Sequence, residues 1–508
     1  MKKNQISSLE NRIHNETFDL NPEEIRQLGY RFSDMITGYY DSMSTSPIVP
    51  SKTLKQLKQL FDELLPQDEM DLDSLLFECQ EKIINNAVHF GHPRFLGWVL
   101  SSGTTIGAYA EGLANALNQN VALSGAGVAT AVELVVLDWI KKIIGYDSHA
   151  AGVLVSGGSM ANLLALAVAR NNLSDDNVRQ HGLVNKAPLI VYTSSEVHVC
   201  IDKAVDLLGI GTDNIRRIPV DASFRLDVNK LKRKIKEDLC KGLRPFCVVA
   251  TAGTVNTGAI DPLKSIADIC RQYHIWFHVD AAYGGFVAIS SHWKSLIKGI
   301  SRADSVVVDP HKWLFIPYDV GCVLVRDPKK MKKTFSYSTE YIPLDKKKAA
   351  SNDEVDFADY GIELSRSFRA LKIWMSLKQY GIRRYARMIN QNMNLAEYWR
   401  VLIENSKDFQ IMAPSDLSVI CFRYIPEKAM KRKNQNKELY LNKLNQFILK
   451  SLRKNRKFLI SGTVLKGRYV LRACIINYRT TKKDVQDIIE AVRNIGKKND
   501  ALLRSRGI

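Results

Sequence analysis

The chain has 508 residues, of which 45% are hydrophobic and 25% charged, a composition typical of a globular protein and not of a disordered one. It contains no apolar run long enough to span a bilayer, and the opening residues MKKNQISSLENRIHNETF lack the apolar segment of a secretory signal. The net charge of +19 invites a nucleic-acid hypothesis, but zinc-finger spacing, RNA-recognition signatures and aromatic-basic interleaving are all missing. We therefore expect neither nucleic acid nor membrane as a partner.

The positive charge is concentrated in three stretches of the chain. These are residues 329–333, 345–350 and 427–457. In the last stretch Leu441, Leu444, Ile448 and Leu452 recur at helical spacing, which predicts an amphipathic helix whose lysines face solvent. The basic residues are thus interpreted as the solvated face of a packed element.

The eight cysteines are scattered along the chain. No pair has the spacing of a metal site or of a redox motif, and a chain of this length needs no disulfides to be stable. We expect reduced thiols in a cytoplasmic protein, and no metal.

Residues 1–90 are predicted to form an N-terminal helical arm. Asn21-Pro22-Glu23-Glu24 is typical of a capped helix start, and further helices are predicted after Pro50 and around Asp73. An arm this thin lacks a core of its own, so we expect it to pack on something else, such as a partner subunit. The small residues between Ile106 and Ile144 fit either helices at a subunit interface or a buried internal pair.

A short strand, a glycine turn and a helix are predicted between Gly152 and Arg170. The turn carries Gly157, Gly158 and Ser159, and it presents backbone N–H groups at a helix N-terminus, where phosphate binds favourably. The lysine of a P-loop is missing, and a Gly-Gly turn before a helix is by itself a weak signal.

The following segment alternates strands with helices. Strands are predicted at 187–195, 215–220, 246–253, 276–280 and 304–309, with helices at 197–209, 227–242 and 261–274. This alternation predicts an α/β fold with a mostly parallel sheet covered on both faces. A long helix from about Ile382 leads into strands at 417–424 and 468–476, so we place a large domain at 91–385 and a small α+β domain at 386–508.

Several polar residues follow the predicted strands, where parallel sheets carry their chemistry. Lys312 follows a β-branched run ending in Pro310, Asp280 ends the strand WFHVD, and Thr251 follows another strand. With the glycine turn they form a phosphate site, a buried acid and a nucleophilic lysine, the groups that pyridoxal phosphate requires. Alternatively, Asp280 is a helix cap and His198 an ordinary core histidine.

The motifs resemble those of the group II pyridoxal-phosphate-dependent amino-acid decarboxylases, which include aromatic-L-amino-acid, histidine and glutamate decarboxylases. HPRFLGWV, VSGGSMANLLAL, EVHVCIDKA, VVATAGTVNTGAIDPL, WFHVDAAYGG, DPHKWL, SRSFRALKIWMSLKQYG and VLRACIINYRTTKKDV occur in the family order over about residues 88–490. The resemblance implies a fold-type I homodimer with a seven-stranded sheet and active sites at the dimer interface.

Roles follow from the resemblance position by position. Lys312 is the Schiff-base lysine, Asp280 the partner of the pyridine nitrogen, and His198 stacks on the ring. The residues that bind or surround the phosphate are Gly158, Ser159, Thr251, Asp309 and His311. Asp309 stands where animal members of the family have asparagine. An acid near a phosphate should repel it, so the role of Asp309 stays open.

A loop tyrosine separates two reaction types within the family. Tyr341 falls where the decarboxylases carry a catalytic tyrosine, and Tyr337 is the competing candidate. Relatives with phenylalanine at this position tend to be oxidative aldehyde synthases.

Phe95 and Trp98 lie in a region that lines the substrate pocket in relatives, which favours an aromatic L-amino acid. Packing of the loop alone explains these aromatics equally well. The predicted activity is decarboxylation to an amine and carbon dioxide, with glutamate, diaminobutyrate or another polar amino acid as alternative substrates. A cofactor-free relative that binds partners through its basic surface is the non-enzyme alternative.

Overall fold

The computed structural model describes residues 17–122, 127–173, 177–337, 355–431 and 434–505. It divides into two compact units, Met1–His89 and Phe90–Ile508, close to the predicted end of the helical arm. Among the described residues, no helix combines the length and apolar character needed to cross a membrane.

The first unit consists of the helices Pro22–Ser42, Leu54–Gln59 and Leu72–Glu78. The Asn21 side chain accepts hydrogen bonds from the amides of Glu23 and Glu24, and the Glu24 carboxylate accepts one from the Asn21 amide, so the predicted helix start is a complete capping box. None of the three helices buries a side chain. This unit therefore has apolar surface but almost no core of its own.

The second unit is built on a seven-stranded sheet, and the architecture is α/β as predicted. Its strands are β1 (Ala151–Val155), β2 (Leu189–Ser194), β3 (Ile215–Ile218), β4 (Arg244–Thr251), β5 (Trp276–Asp280), β6 (Ser305–Val308) and β7 (Gly321–Val325). The order across the sheet is β1-β7-β6-β5-β4-β2-β3. Only β7 runs against the others, pairing antiparallel with both β1 and β6.

Helices cover the sheet, and all but Val178–His181 and Pro328–Phe335 lie where helices were predicted. They are Thr105–Leu117, Val128–Ile144, Gly158–Asn171, Val178–His181, Cys200–Leu207, Val228–Cys240, Leu263–Tyr273 and Pro328–Phe335. The strands β2, β4, β5, β6 and β7 are almost entirely buried, as expected for a sheet covered on both faces. The small-residue segment contains the two helices Thr105–Leu117 and Val128–Ile144, and the first is apolar on both faces, since Ala110 and Ala114 are buried while Leu113 and Leu117 are exposed.

A four-stranded antiparallel sheet follows, flanked by three helices. Its strands are β8 (Phe409–Ala413), β9 (Val419–Tyr424), β10 (Ser461–Leu465) and β11 (Arg468–Cys474), and the helices are Ala370–Glu404, Asn434–Asn455 and Lys482–Ser505. The amphipathic prediction is confirmed, because Leu441, Leu444, Ile448 and Leu452 are all buried. The domain boundary near residue 385 stays a prediction, although Gly381 interrupts the long helix near it with φ 65°.

Candidate active site

All eight residues predicted to hold the cofactor line a single cavity of about 430 Å³. They are Gly158, Ser159, His198, Thr251, Asp280, Asp309, His311 and Lys312. Their segments are far apart in sequence, so the cavity is a product of the fold and not of one motif.

The topology of the sheet explains this convergence. The strands β1, β2, β4, β5 and β6 run in one direction, so the segments that leave their carboxyl ends meet at one edge of the sheet. The glycine turn leaves β1, and Thr251 and Asp280 are the last residues of β4 and β5. Lys312 lies in the turn that leaves β6, which ends at Val308.

The glycine turn forms the floor of a phosphate-sized cradle. Gly157 has φ 147°, in the region that favours glycine, and a Cβ on Gly158 would lie 2.8 Å from the Asp309 Oδ2. The helix Gly158–Asn171 has no side-chain cap, so the amides of its first turn are available to a ligand. A helix start of this kind favours an anion through both hydrogen bonds and dipole.

Lys312 forms an ion pair with Asp309, whose Oδ2 lies 3.0 Å from the amine. Burial disfavours the ammonium, but the carboxylates of Asp309 and Asp280 outweigh it and hold the pKa of Lys312 above its usual value. In the protein without cofactor the amine is therefore protonated at neutral pH, and it must lose a proton before it acts as a nucleophile.

Asp280 is a buried carboxylate with one N–H donor on each oxygen. The amide of Ala282 donates to Oδ1 over 3.1 Å, and Nδ2 of Asn162 donates to Oδ2 over 3.1 Å. Burial raises the pKa of Asp280, while the charge of Lys312 and the Ala282 hydrogen bond act in the opposite direction. A positive group placed beside this acid would stabilise its ionised form.

The two histidines of the cavity are held by backbone amides. Nδ1 of His198 accepts from the Cys200 amide over 3.2 Å, and Nδ1 of His311 accepts from the Val320 amide over 3.3 Å. Desolvation in the cavity lowers the pKa of both rings, so both are mainly neutral at pH 7. The helix predicted at 197–209 spans Cys200–Leu207, so His198 lies two residues before its start.

Two buried oxygen atoms in the cavity have no hydrogen-bond partner among the described residues. They are Oγ1 of Thr251 and Oδ1 of Asp309. A buried polar atom without a partner is costly, and in a cavity it indicates a place where a polar ligand binds.

The two predicted substrate-pocket aromatics lie in different places. Trp98 lines the cavity and is 49% exposed. Phe95 is only 1% exposed and lies outside the cavity lining, with its ring 6.0 Å from that of Trp98. Its backbone pairs with Leu459, which turns the side chain into the protein, so Phe95 supports Trp98 instead of lining the pocket.

The loop tyrosines also differ. Tyr341 lies outside the described residues. Tyr337 is exposed, stacks under the guanidinium of Arg179 at 3.8 Å and does not line the cavity.

Asn162 and Tyr318 are among the cavity residues that were not predicted from the sequence. Asn162 donates to Asp280 from the first turns of the helix Gly158–Asn171, and Tyr318 packs its ring 4.5 Å from that of His311. Asn162 belongs to the VSGGSMANLLAL motif, and its place four residues after Gly158 puts it on the same helix face as the glycine turn. Tyr318 had no comparable signal, because it reaches the cavity through a loop.

The protein-family model described as the pyridoxal-dependent decarboxylase conserved domain matches residues 55–425 of this chain. The chain is also 36% identical over 482 residues to an aromatic-L-amino-acid decarboxylase of Bacillus atrophaeus, covering 94% of this chain and 96% of the relative. A phenylacetaldehyde synthase of a Rosa hybrid cultivar is 31% identical, with 94% of each chain covered.

Solved structures give the same picture. The crystal structure of Oryza sativa TDC with PLP and tryptamine superposes with a TM-score of 0.88 at 26% identity, covering 95% of this chain and 99% of the other. The crystal structure of mouse CSAD in apo form gives a TM-score of 0.85 at 27% identity, covering 94% of this chain and 99% of the other.

Proposed function

The chain belongs to the pyridoxal-dependent decarboxylases, a family of carboxy-lyases that use pyridoxal phosphate, and from this premise we propose that it decarboxylates an aromatic L-amino acid to the corresponding amine. The observation that carries the proposal is the single cavity in which a lysine, a buried acid and an uncapped helix start converge.

The residues that line the cavity match the chemical groups of pyridoxal phosphate. The uncapped amides after Gly157 and the unpartnered Oγ1 of Thr251 provide donors for a phosphate group. The 430 Å³ volume lies within the usual range for small-ligand sites. At the other end Asp280 provides an acceptor for a protonated ring nitrogen, and Lys312 provides the amine that holds the cofactor covalently.

The bound cofactor supplies an electron sink for the pair of electrons left when carbon dioxide departs. In our proposal Asp280 holds the proton on the ring nitrogen, which keeps that sink effective. His198 would hold the cofactor ring, and Lys312 would supply the amine that binds the cofactor covalently. Trp98 shields one side of the pocket from water.

The aromatic substrate class rests on two observations. Trp98 presents a flat, half-exposed indole to the cavity, which suits stacking against an aromatic side chain. Relatives at 30–36% identity are named as aromatic-L-amino-acid, tyrosine and tryptophan decarboxylases. Glutamate, diaminobutyrate and other polar amino acids are the alternative substrates, and a substrate panel distinguishes them from the aromatic amino acids.

The test is a panel of L-amino acids assayed for both carbon dioxide and primary amine. We expect tyrosine, tryptophan, phenylalanine or dihydroxyphenylalanine to be turned over faster than glutamate, diaminobutyrate and histidine. The purified protein should absorb between roughly 330 and 430 nm, as bound pyridoxal phosphate does. A preference for a polar amino acid would overturn the substrate class while leaving the reaction type intact.

A second candidate is an oxidative aldehyde synthase, since a relative at 31% identity carries that name. Tyr341 decides between the two readings, because its hydroxyl is our proposed proton donor to the substrate carbon. Wild type should release amine and carbon dioxide in equal amounts, whereas Tyr341→Phe should consume oxygen and water and release aldehyde, carbon dioxide, ammonia and hydrogen peroxide. Aldehyde from wild type would overturn the amine product, and amine formation by Tyr341→Phe at the wild-type rate would move the role to Tyr337.

We further propose a cytoplasmic homodimer. Support comes from the exposed apolar side chains of Tyr109, Leu113 and Leu117 on one helix, a surface that is costly to leave in water. All eight cysteines are free, as in a reducing compartment. Sedimentation should give twice the chain mass at micromolar concentration, and an active monomer would contradict the proposal.

A further inference from the structure

A continuous chain of hydrogen bonds runs through the protein interior from Trp276 to Asp280. Nε1 of Trp276 lies 2.8 Å from Oγ of Ser305, which in turn lies 2.8 Å from Nδ1 of His278. Nε2 of His278 lies 2.7 Å from Oδ1 of Asn162, whose Nδ2 lies 3.1 Å from Oδ2 of Asp280. Every second residue of β5 belongs to the chain, because alternate residues of a strand share one face.

The two ends of the chain impose one direction on every bond. An indole N–H donates only, so Oγ of Ser305 accepts from Trp276 and is free to give its own proton to Nδ1 of His278. At the other end an ionised carboxylate accepts only, so Asn162 must turn its NH₂ group toward Asp280. The carbonyl of Gly158 accepts from the same NH₂ group over 2.8 Å, which reinforces that orientation.

The middle of the chain is thereby determined. Oδ1 of Asn162 faces His278 and accepts, so the ring must carry its proton on Nε2. His278 is fully buried, and burial lowers its pKa to about 3. The ring is therefore neutral across the working pH range, and the direction of the bonds does not reverse.

We infer that Asn162 and His278 are positioning residues for Asp280: His278 fixes the orientation of the Asn162 amide, and Asn162 fixes the carboxylate that faces the ring nitrogen of the cofactor. This inference rests on the proposed role of Asp280. The Asn162 donor stabilises the ionised carboxylate against the cost of burial. The other groups with charge or titration behaviour that face Asp280 are Lys312, Asp309, His198 and Cys200.

Asn162→Ala tests the last bond of the chain. We expect kcat to fall about 10- to 100-fold with KM nearly unchanged, as is typical when a partner behind a functional ligand is lost. Loss of a donor to the ionised carboxylate favours its protonated form, so the acid limb of the pH–rate profile should move upward. A readout independent of turnover is the affinity of the apoprotein for pyridoxal phosphate, followed by absorbance, which should weaken in parallel.

The middle of the chain is tested by a pair of variants. His278→Gln keeps an acceptor for Ser305 and a donor for Asn162 in the same order, whereas His278→Leu keeps neither. We expect His278→Gln to restore most of the activity and cofactor affinity that His278→Leu loses. Equal losses in the two variants would reduce His278 to a packing role and overturn its part of the inference.

A matched control comes from the helix Asn434–Asn455, beside the second sheet. Asn445 is also a fully buried amide, and it bonds the Tyr424 backbone on both sides. Asn445→Ala should lower the melting temperature as much as Asn162→Ala without moving the pH profile. If Asn162→Ala keeps the wild-type pH profile and cofactor affinity while Asp280→Asn is inactive, the positioning role fails. If Asp280→Asn itself turns over normally, the fault lies in the role of Asp280.

Discussion

The seven-stranded sheet carries a cavity at each edge, and the smaller one is the candidate active site. The cavity at the opposite edge measures about 740 Å³, against about 430 Å³ for the candidate active site. Its charged lining is mostly cationic, from Arg271, Arg302, Arg326 and Lys330 with Asp304. Neither volume nor net charge therefore identifies the site.

The cavities differ in what their charges contact. At the opposite edge Arg302 bonds Asp268 over 2.7 Å, and Arg326 bonds both Asp147 and the Ala303 carbonyl. These are partly exposed pairs of the kind that contribute little to stability. In the candidate site the charges are buried together and two oxygens lack partners. Convergent, incompletely bonded polar groups are thus the better marker of function.

The sharpest test of this contrast removes one lysine from each cavity. Lys312→Ala should abolish borohydride fixation of the cofactor and reduce turnover by about 10⁴-fold or more, as for other covalent nucleophiles. Lys330→Ala is the matched control, and it should leave both properties unchanged. Residual noncovalent cofactor in Lys312→Ala is compatible with the phosphate cradle, whereas fixation of cofactor to that variant would place the reactive lysine elsewhere.

The next largest effect is expected at Asp280. Asp280→Asn keeps the side-chain volume but removes the charge that holds the ring proton, so turnover should fall about 100- to 1000-fold. Circular dichroism and the melting curve should remain close to wild type. Near-normal decarboxylation by this variant would contradict the proposed role.

Asp309→Asn should have a smaller effect than the two preceding variants, and it should speed cofactor loading instead of impairing function. Burial lowers the pKa of Lys312, whereas the charge of Asp309 raises it. Asp309→Asn should therefore lower the pKa of Lys312 and increase the fraction of neutral amine at pH 7.5. Each unit of that decrease increases the reactive fraction about tenfold. Stopped-flow absorbance of apoprotein with cofactor should show faster loading than wild type, with the difference shrinking as pH rises. Slower loading would mean that Asp309 assists cofactor binding.

The smallest effect is expected at the opposite cavity. Arg271 lines it without contacting the candidate site, so Arg271→Ala should change the free energy of unfolding by no more than about 0.5 kcal/mol. Turnover should stay within about twofold. A large loss of activity would show that the cavities at the two edges of the sheet are functionally coupled.

Residues at the carboxyl ends of strands or in the turns that follow them were predictable, because a strand pattern and its direction place these residues. Lys312, Asp280 and Thr251 belong to this group. Tyr318 was not predictable, since its position depends on how a loop folds back over His311. Phe95 was misplaced for a similar reason, because only the pairing with Leu459 decides which way it points.

Whole elements were missed for physical reasons as well. β7 was not predicted, because its five residues are all buried and lack the alternation of a half-exposed strand, and a loop instead of a helix precedes them. β8 and β10 are short strands of a half-covered sheet, and their exposed positions dilute the pattern. The family resemblance supplied the seven-stranded fold class despite these omissions.

The hydrogen-bond chain behind Asp280 has a consequence for recombination between relatives. Its members come from three separate segments, the helix Gly158–Asn171, β5 and β6, yet each bond depends on the residue before it. In a chimera that exchanges only the helix segment, the residue at position 162 would come from one relative and β5 from another. Asp280 would keep its place but could lose the hydrogen bond from position 162. These segments should therefore be inherited as one block, and crossover points between Gly158 and Val308 should be selected against.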